Sequence, residues 1–145
     1  MSDHKELLNK AYEYYHSKGI KVVLAGGFTK RCKCDLHIKD LGPAEFLNLI
    51  YNSLAVISSS FHATAFLHIF HKKFYSIIPE KNGERIISLL QQSGLEKNIL
   101  NRKTCFTLDD DIDWTQVDKN MNSYILESKE YLNKIIVKLQ NFDCS

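Results

Sequence analysis

Apolar side chains recur every three or four positions over five stretches of this chain, and short apolar runs lie between them. The first spacing places side chains on one face of a helix, whereas short runs rich in β-branched residues are typical of buried strands. The pattern predicts helices over about residues 4–17, from 43 onward, 61–71, 83–92 and 114–141, and strands over 20–25, 54–58 and 73–78. Helices that alternate with short strands indicate an α/β fold with a mainly parallel sheet.

The signals are weaker in the remaining segments. Residues 26–42 predict a polar connection, and residues 104–107 predict a last short strand. The pair Ser93-Gly94 predicts a helix end, and Asp113 predicts the N-cap of the final helix. In that helix a period near four is kept by Val117, Met121, Tyr124, Ile125, Leu132, Ile136 and Leu139.

The stretch from Ser58 to Phe66 lies where a predicted strand turns into a predicted helix. Backbone N–H groups in the first turn of a helix have no intrahelical acceptor, and together with the helix dipole they favour an anion. Parallel sheets also bind their ligands beyond the carboxyl ends of the strands. We therefore predict a site for a phosphorylated ligand at this turn.

Four side chains of this turn are candidate site residues. His62 is the candidate catalytic residue, because an imidazole with a pKa of about 6.5 can bind a phosphate and move a proton near neutral pH. Supporting or capping the turn is its alternative role. Ser59 and Ser60 are candidate phosphate ligands, with helix capping alone as an equally open alternative. Thr64 lies one turn further on, where its hydroxyl could reach either the ligand or a backbone carbonyl.

A second pair of candidates follows the third predicted strand. Arg85 could fork onto a phosphate or carboxylate, and Lys81 could add positive charge beside it. A solvated or glutamate-paired arginine is the alternative. The sequence has neither of the common glycine-rich phosphate loops, nor the Gly-x-Ser-x-Gly elbow of hydrolases. The predicted site therefore depends on these individual side chains.

The composition is ordinary for a folded domain, with 44% apolar and 25% charged residues among 145. A net charge of +2 is too small to predict binding to nucleic acid. No apolar run approaches the roughly 20 residues that span a bilayer, and the first residues lack the apolar core of a signal peptide. A cytoplasmic location without a membrane span is the expectation.

The cysteines and acidic residues do not predict a metal site. One residue separates Cys32 from Cys34, which is too few for the usual zinc spacing, so free thiols are favoured although His37 lies nearby. Cys144 adds no disulfide framework. The acidic run 109–111 precedes a helix, where acids more often complement the helix dipole than bind a cation.

Several segments, in order along the chain, carry a family resemblance. They are residues 42–50, 55–66, 72–75, 85–90, 93–95 and, in the last helix, 124–132. Together they resemble the C-terminal half of the polysaccharide pyruvyl transferase family, whose Phe-His core corresponds to Phe61-His62. The resemblance extends from about residue 20 to the last helix.

The resemblance implies a Rossmann-like three-layer domain, similar to the C-terminal half of a GT-B fold. It would span residues 1–145, with the N-terminal half of a two-domain enzyme absent. In characterised members the donor is phosphoenolpyruvate, a co-substrate that implies no further cofactor. The acceptor is a sugar of a cell-surface polysaccharide or its lipid-linked precursor, and the product is a pyruvate ketal. His62 matches the family's histidine, which would contact the donor phosphate or act as acid and base.

Two features leave other functions open. Ser60 stands where many members have an arginine that binds the donor, which leaves open a glycosyltransferase-type domain for a nucleotide sugar. The short chain leaves open a non-catalytic remnant that self-associates. The expected partners are therefore a phosphorylated donor with a glycan acceptor, a missing N-terminal domain, or a second copy in a homodimer. Peripheral attachment to the inner membrane is an alternative to a purely cytoplasmic location.

Overall fold

The computed structural model describes residues 2–26, 32–109 and 111–142, and the side chains among them from residue 4 to residue 138. The helices are α1 (Ser2–Ser17), α2 (Pro43–Asn52), α3 (Phe61–Ile69), α4 (Glu84–Ser93) and α5 (Trp114–Phe142). The strands are β1 (Val23–Ala25), β2 (Leu36–Ile38), β3 (Val56–Ser58) and β4 (Phe74–Ser76), and a 3-10 turn covers Glu96–Asn98. The five predicted helices are confirmed, and so are the first three predicted strands, which are shorter than predicted.

The strands form two separate parallel pairs. β1 pairs with β2, with Val23 opposite Leu36, and β3 pairs with β4, with Val56 opposite Phe74. One parallel bridge, between Ser76 and Ile99, extends the second pair. The α/β class with parallel strands is thus confirmed. The described residues form two two-stranded sheets, however, and not the single sheet of the Rossmann-like three-layer domain, or GT-B half, that the resemblance implies.

β2 lies inside the segment that predicts a polar connection, and that prediction is wrong for residues 36–38. Asp35 explains the difference. Its carboxylate accepts a hydrogen bond from the Val22 N–H at 2.7 Å, and its own N–H donates to the Val22 carbonyl oxygen at 2.9 Å. These bonds hold β2 beside β1. The sequence pattern did not predict β2, because three residues are too few to show a period. Residues 27–31 of the same segment lie outside the described residues.

The strand predicted over residues 104–107 is wrong, since no strand is formed there. The Thr104 hydroxyl instead closes a turn by accepting a hydrogen bond from the Asn101 N–H at 2.9 Å. The apolar signal comes from Phe106, whose buried ring contacts the rings of Tyr15 and Tyr75. Phe106 is apolar because it packs under α1, and not because it pairs in a sheet.

Two groups of buried apolar side chains hold the elements together. The first joins α2, α3, β4, α4 and the start of α5 around Leu67, Phe74 and Leu90, which are fully buried. The second packs α1 against β4 and includes Tyr15 and Tyr75. β4 therefore lies between both groups, and α3 and α4 are fixed relative to it by the first.

The helix ends follow their predicted chemistry. The Asp113 carboxylate caps α5 by accepting a hydrogen bond from the Gln116 N–H at 3.1 Å. Gly94 ends α4 with a φ of 74°, a left-handed conformation that glycine adopts without the cost of a Cβ. Both ends support the first buried group, because they fix where α4 stops and α5 begins.

α5 confirms the predicted long final helix, and among its described side chains those of the first turns pack against the rest of the protein. Val117 is buried there, whereas Ile125 and Leu132 further along the helix are exposed. The predicted apolar position Leu139 lies outside the described side chains. None of the helices in the described ranges combines the length and the apolar character that crossing a bilayer requires.

Candidate functional site

Three consecutive serines form the turn from β3 into α3. Ser58 Oγ accepts a hydrogen bond from the Ser60 N–H at 3.0 Å, and Ser60 Oγ accepts one from the Ala63 N–H at 3.4 Å. Ser60 is therefore the N-cap of α3, which is one of its two predicted roles. Ser59 is exposed between the two hydrogen-bonded serines. The local role of Ser58 was not predicted, because a hydroxyl that bonds two residues onward has no sequence signal beyond its type.

Thr64 lies behind the turn, in the interior of the protein. Its hydroxyl donates to the Ser60 carbonyl oxygen at 3.0 Å and lies 3.5 Å from the Ser76 hydroxyl. The side chain is fully buried. Of its two predicted contacts, the structure forms the one with a backbone carbonyl, so Thr64 fixes the first turn of α3 against β4.

His62 lies in the first turn of α3 with its side chain exposed. Its ring meets the Phe61 ring edge to face, with 6.0 Å between centroids. Phe61 and His62 occupy the first two positions of the helix, where backbone N–H groups lack an intrahelical acceptor. Ser60 Oγ accepts a hydrogen bond from the Ala63 N–H, the next N–H along the helix. The two preceding N–H groups point along the helix axis, where the dipole favours negative charge.

Arg85 reaches α3 from the first turn of α4. Its guanidinium carbon lies 4.2 Å from the centroid of the Phe61 ring, a cation–π contact. Arg85 and His62 therefore lie against the same aromatic ring. An open groove of about 410 Å³ adjoins them, lined by Phe61, Glu84, Arg85, Ser88, Leu89, Gln92 and Tyr124. Phe61 also packs on the first buried group. Its contact with Arg85 has no counterpart among the sequence predictions.

The turn between β4 and α4 places Lys81 and Arg85 on either side of Gly83. Lys81 is exposed, whereas Gly83 is buried. A Cβ at Gly83 would lie 2.4 Å from the Pro79 carbonyl oxygen and 2.6 Å from Cγ2 of Ile78. Glycine is required here by close approach of the backbone and not by its φ of −67°. This close approach sets where α4 begins, and so where Arg85 lies.

A polar cluster, absent from the predicted site, is buried between α3 and α4. His68 Nδ1 lies 2.7 Å from the Thr64 carbonyl oxygen, and His68 Nε2 lies 3.0 Å from Ser93 Oγ. Burial lowers the pKa of His68 below its usual value. The Thr64 carbonyl oxygen can only accept, so Nδ1–H of the neutral imidazole donates to it, and the single proton of the Ser93 hydroxyl is shared between His68 Nε2 and the Leu89 and Leu90 carbonyl oxygens.

The His68–Ser93 pair resembles a base beside a nucleophile, but Ser93 is only 1% exposed. Its hydroxyl also lies 2.9 Å from the Leu89 carbonyl oxygen, and Asn120 Nδ2 donates to the Ser93 carbonyl oxygen. A substrate could not reach this hydroxyl without opening the core. The cluster therefore joins α3, α4 and α5 structurally.

Acid is expected to destabilise the protein through His68. Because its folded-state pKa is lowered by burial, the unfolded chain takes up more protons below about pH 6.5. The contribution of neutral His68 to the free energy of unfolding is fully present above about pH 6.5. It is lost as the pH falls towards the folded-state pKa, by at most about 1.4 kcal/mol per pH unit. Urea unfolding at pH 7.5, 6.5 and 5.5 measures this. His68→Gln, which does not titrate, is expected to flatten the pH dependence, and equal slopes for both proteins would contradict the assignment.

The acidic run before α5 serves contacts within the protein. The Lys73 ammonium, on a side chain that is 5% exposed, donates to Thr107 Oγ1 at 2.6 Å and to the Asp109 carbonyl oxygen. Lys97 lies 3.5 Å from an Asp111 carboxylate oxygen. Cys32, Cys34 and Cys105 are free thiols, whereas Asp110 and Cys144 lie outside the described residues. Among the described residues no three histidine, cysteine or acidic side chains cluster as metal ligands would.

Comparison of the chain with protein-family models, curated proteins and solved structures finds no match. The likeness to pyruvyl transferases thus stays a prediction from the sequence segments. What the structure contributes is the placement of the candidate residues. Phe61, His62 and Arg85 lie together at the exposed start of α3, Ser59 and Lys81 are exposed in the turns before α3 and α4, and Thr64 is buried behind them.

Proposed function

We propose that the start of α3 binds the phosphate of a small phosphorylated donor. The observation that supports this most is the contact of His62 and Arg85 with the same Phe61 ring, next to the first two N–H groups of the helix. A guanidinium and helix N–H groups are both strong partners for phosphate oxygens. Ser59 directly precedes the N-cap of α3, and Lys81 lies four residues before Arg85; both are exposed and able to add further contacts.

We further propose that the donor is phosphoenolpyruvate and that the chain acts as part of a pyruvyl transferase on a cell-surface polysaccharide sugar. In this reaction an acid protonates the enol carbon, and a base takes the proton of the sugar hydroxyl. The oxygen of that hydroxyl bonds to the carbon that carries the phosphate. The bond from this carbon to the phosphate oxygen breaks, and a second sugar hydroxyl bonds to the same carbon and gives its proton to the departing phosphate, which completes the ketal. His62 would exchange the proton, and Arg85 would stabilise the departing phosphate.

The proposed transferase activity also requires a second protein surface at the site. The start of α3 is open to solvent, and an acceptor sugar needs a surface that positions its hydroxyl near the donor. In the two-domain arrangement that the resemblance implies, a second domain would supply this surface. We therefore expect donor binding by this chain alone, and transfer only together with such a partner.

A nucleotide sugar is the competing ligand. Ser60, the N-cap of α3, stands at the position where the family resemblance implies a donor-binding arginine. A neutral hydroxyl therefore replaces one of the cations that would hold phosphoenolpyruvate. A diphosphate would make use of the same N–H groups. It would also need a surface for its base and ribose, for which the open groove beside Phe61 is the nearest space.

Titration by two-dimensional NMR distinguishes these ligands. We expect phosphoenolpyruvate to shift the amide signals of Phe61 and His62, and His62→Ala to weaken its binding by about tenfold through loss of a hydrogen bond to a charged group. His4→Ala, which removes an exposed histidine on α1, is the matched control and should bind normally. Shifts with a nucleotide sugar but not with phosphoenolpyruvate would reject the donor. Shifts with neither, nor with inorganic phosphate, would reject the phosphate site.

A further inference from the structure

The row of side chains that packs the start of α5 onto the protein continues along the helix, beyond the part of α5 that contacts the other elements. Met121, Ile125, Ser128, Leu132 and Ile135 follow each other at alternating intervals of four and three residues, and all of them except Ser128 are apolar. Met121 packs on the first buried group, whereas Ile125 and Leu132 are 42% and 56% exposed. This alternation is the repeat by which one helix packs along another, so the shape of the stripe fits a helix as its partner.

The exposed area fits a small two-fold interface. Tyr124, Tyr131 and Ile136 lie beside Ile125 and Leu132 on the same side of α5 and are also exposed. At exposures of 42–66%, these five side chains present about 400–600 Å² of surface, given that large side chains offer roughly 150–250 Å² each. A dimer that covers this surface on both copies buries about 800–1,200 Å² in total, which is at the low end for specific interfaces.

On one flank of the stripe, the charges are complementary to those of a second copy in the opposite direction. Glu127, Lys134 and Lys138 lie seven and eleven residues apart, and so on one flank of the helix. In antiparallel packing a flank faces the same flank of the other helix, with its ends exchanged. Glu127 of one copy then lies near Lys134 and Lys138 of the other, twice by symmetry. Parallel packing would instead gather the lysines of both copies at one end.

We propose that this chain forms a two-fold symmetric homodimer through the exposed part of α5, with the two helices antiparallel and the axis near residue 130. An interface of this type is self-complementary, as two-fold symmetry requires. The inference does not depend on the proposed phosphate site, and the two surfaces meet at Tyr124, which also lines the groove beside Phe61. A dimer buries side chains that otherwise form the largest apolar surface of this helix.

Sedimentation velocity on the full chain tests the dimer. We expect a mass of twice 16.8 kDa at about 200 µM. Leu132→Glu should raise the dissociation constant by at least about a hundredfold, because it places a charge in the apolar centre. Leu126→Glu is the matched control, since Leu126 is 61% exposed on the opposite side of α5 and should keep the dimer. A monomeric wild-type chain, or a Leu132→Glu dimer of unchanged affinity, would overturn the proposal.

Charge reversal tests the direction of the helices. Glu127→Lys should weaken the dimer about tenfold, because it faces two lysines of the second copy. The triple variant Glu127→Lys, Lys134→Glu, Lys138→Glu restores opposite charges in the antiparallel dimer and should recover the wild-type affinity. Failure to recover would overturn the antiparallel arrangement. Circular dichroism of each variant should show unchanged helix content, since all these positions are exposed.

Discussion

Phe74→Ala is expected to lower the free energy of unfolding by about 3–5 kcal/mol, enough to unfold much of a small domain. Phe74 is fully buried in β4, at the centre of the first buried group, and its ring lies 5.3 Å from the His68 ring. Truncation removes apolar contacts with α3 and α4 at the same time and leaves a cavity that the two helices cannot close. Chemical denaturation monitored by circular dichroism measures the loss.

Ile69→Ala is the matched control for this variant. Ile69 lies on α3 close to the same core, but its side chain is 67% exposed. Its truncation should change the free energy of unfolding by less than about 0.5 kcal/mol. A loss below about 1 kcal/mol for Phe74→Ala would show that the core is not centred on β4.

Gly83→Ala should destabilise the protein by about 2–3 kcal/mol and disturb the candidate site. The new Cβ would lie 2.4 Å from the Pro79 carbonyl oxygen, an atom of the backbone that cannot move away by a change of rotamer. The start of α4 must shift instead, and it carries Arg85 with it. We expect a lower unfolding midpoint together with changed amide signals for Phe61.

Gly42→Ala provides a sharp control for this clash. A Cβ at Gly42 would also lie 2.4 Å from another atom, but that atom is Oε2 at the end of the flexible Glu45 side chain. The side chain can rotate, so the expected cost is below about 0.5 kcal/mol. Equal losses in the two variants would show that the backbone around Pro79 adapts easily and that Gly83 does not fix the position of Arg85.

Helices were predictable from this sequence because each extends over several turns, so its apolar period repeats. Three of the four strands were predictable as short apolar runs, but each strand has only three residues, so the runs did not show where the strands begin and end. β2 depends on a hydrogen bond from Val22 to Asp35, which are far apart in sequence. Phe106 led to a wrong strand prediction, because an aromatic residue that packs under a helix has the same apolar character as one in a sheet.

The candidate site was predictable as far as local chemistry determines it. The N-cap of α3 follows from Ser60 and its neighbours, since capping involves residues three apart. The contact of Arg85 with Phe61 joins α3 and α4 across the fold and has no local signal. The burial of Thr64 likewise depends on Ser76 in β4, which the spacing along α3 does not reveal.

Because α5 is held near its start, a small change in its angle there moves its far end by several ångströms. Its direction is set near its start, where Val117 is buried and Asn120 Nδ2 donates to the Ser93 carbonyl oxygen. From there to Phe142 the helix rises by about 30 Å. A tilt of about 10° at its base therefore moves the far end by about 5 Å. Small adjustments at the end of α4, next to the buried His68–Ser93 pair, are thus amplified into large displacements at the tip of the helix.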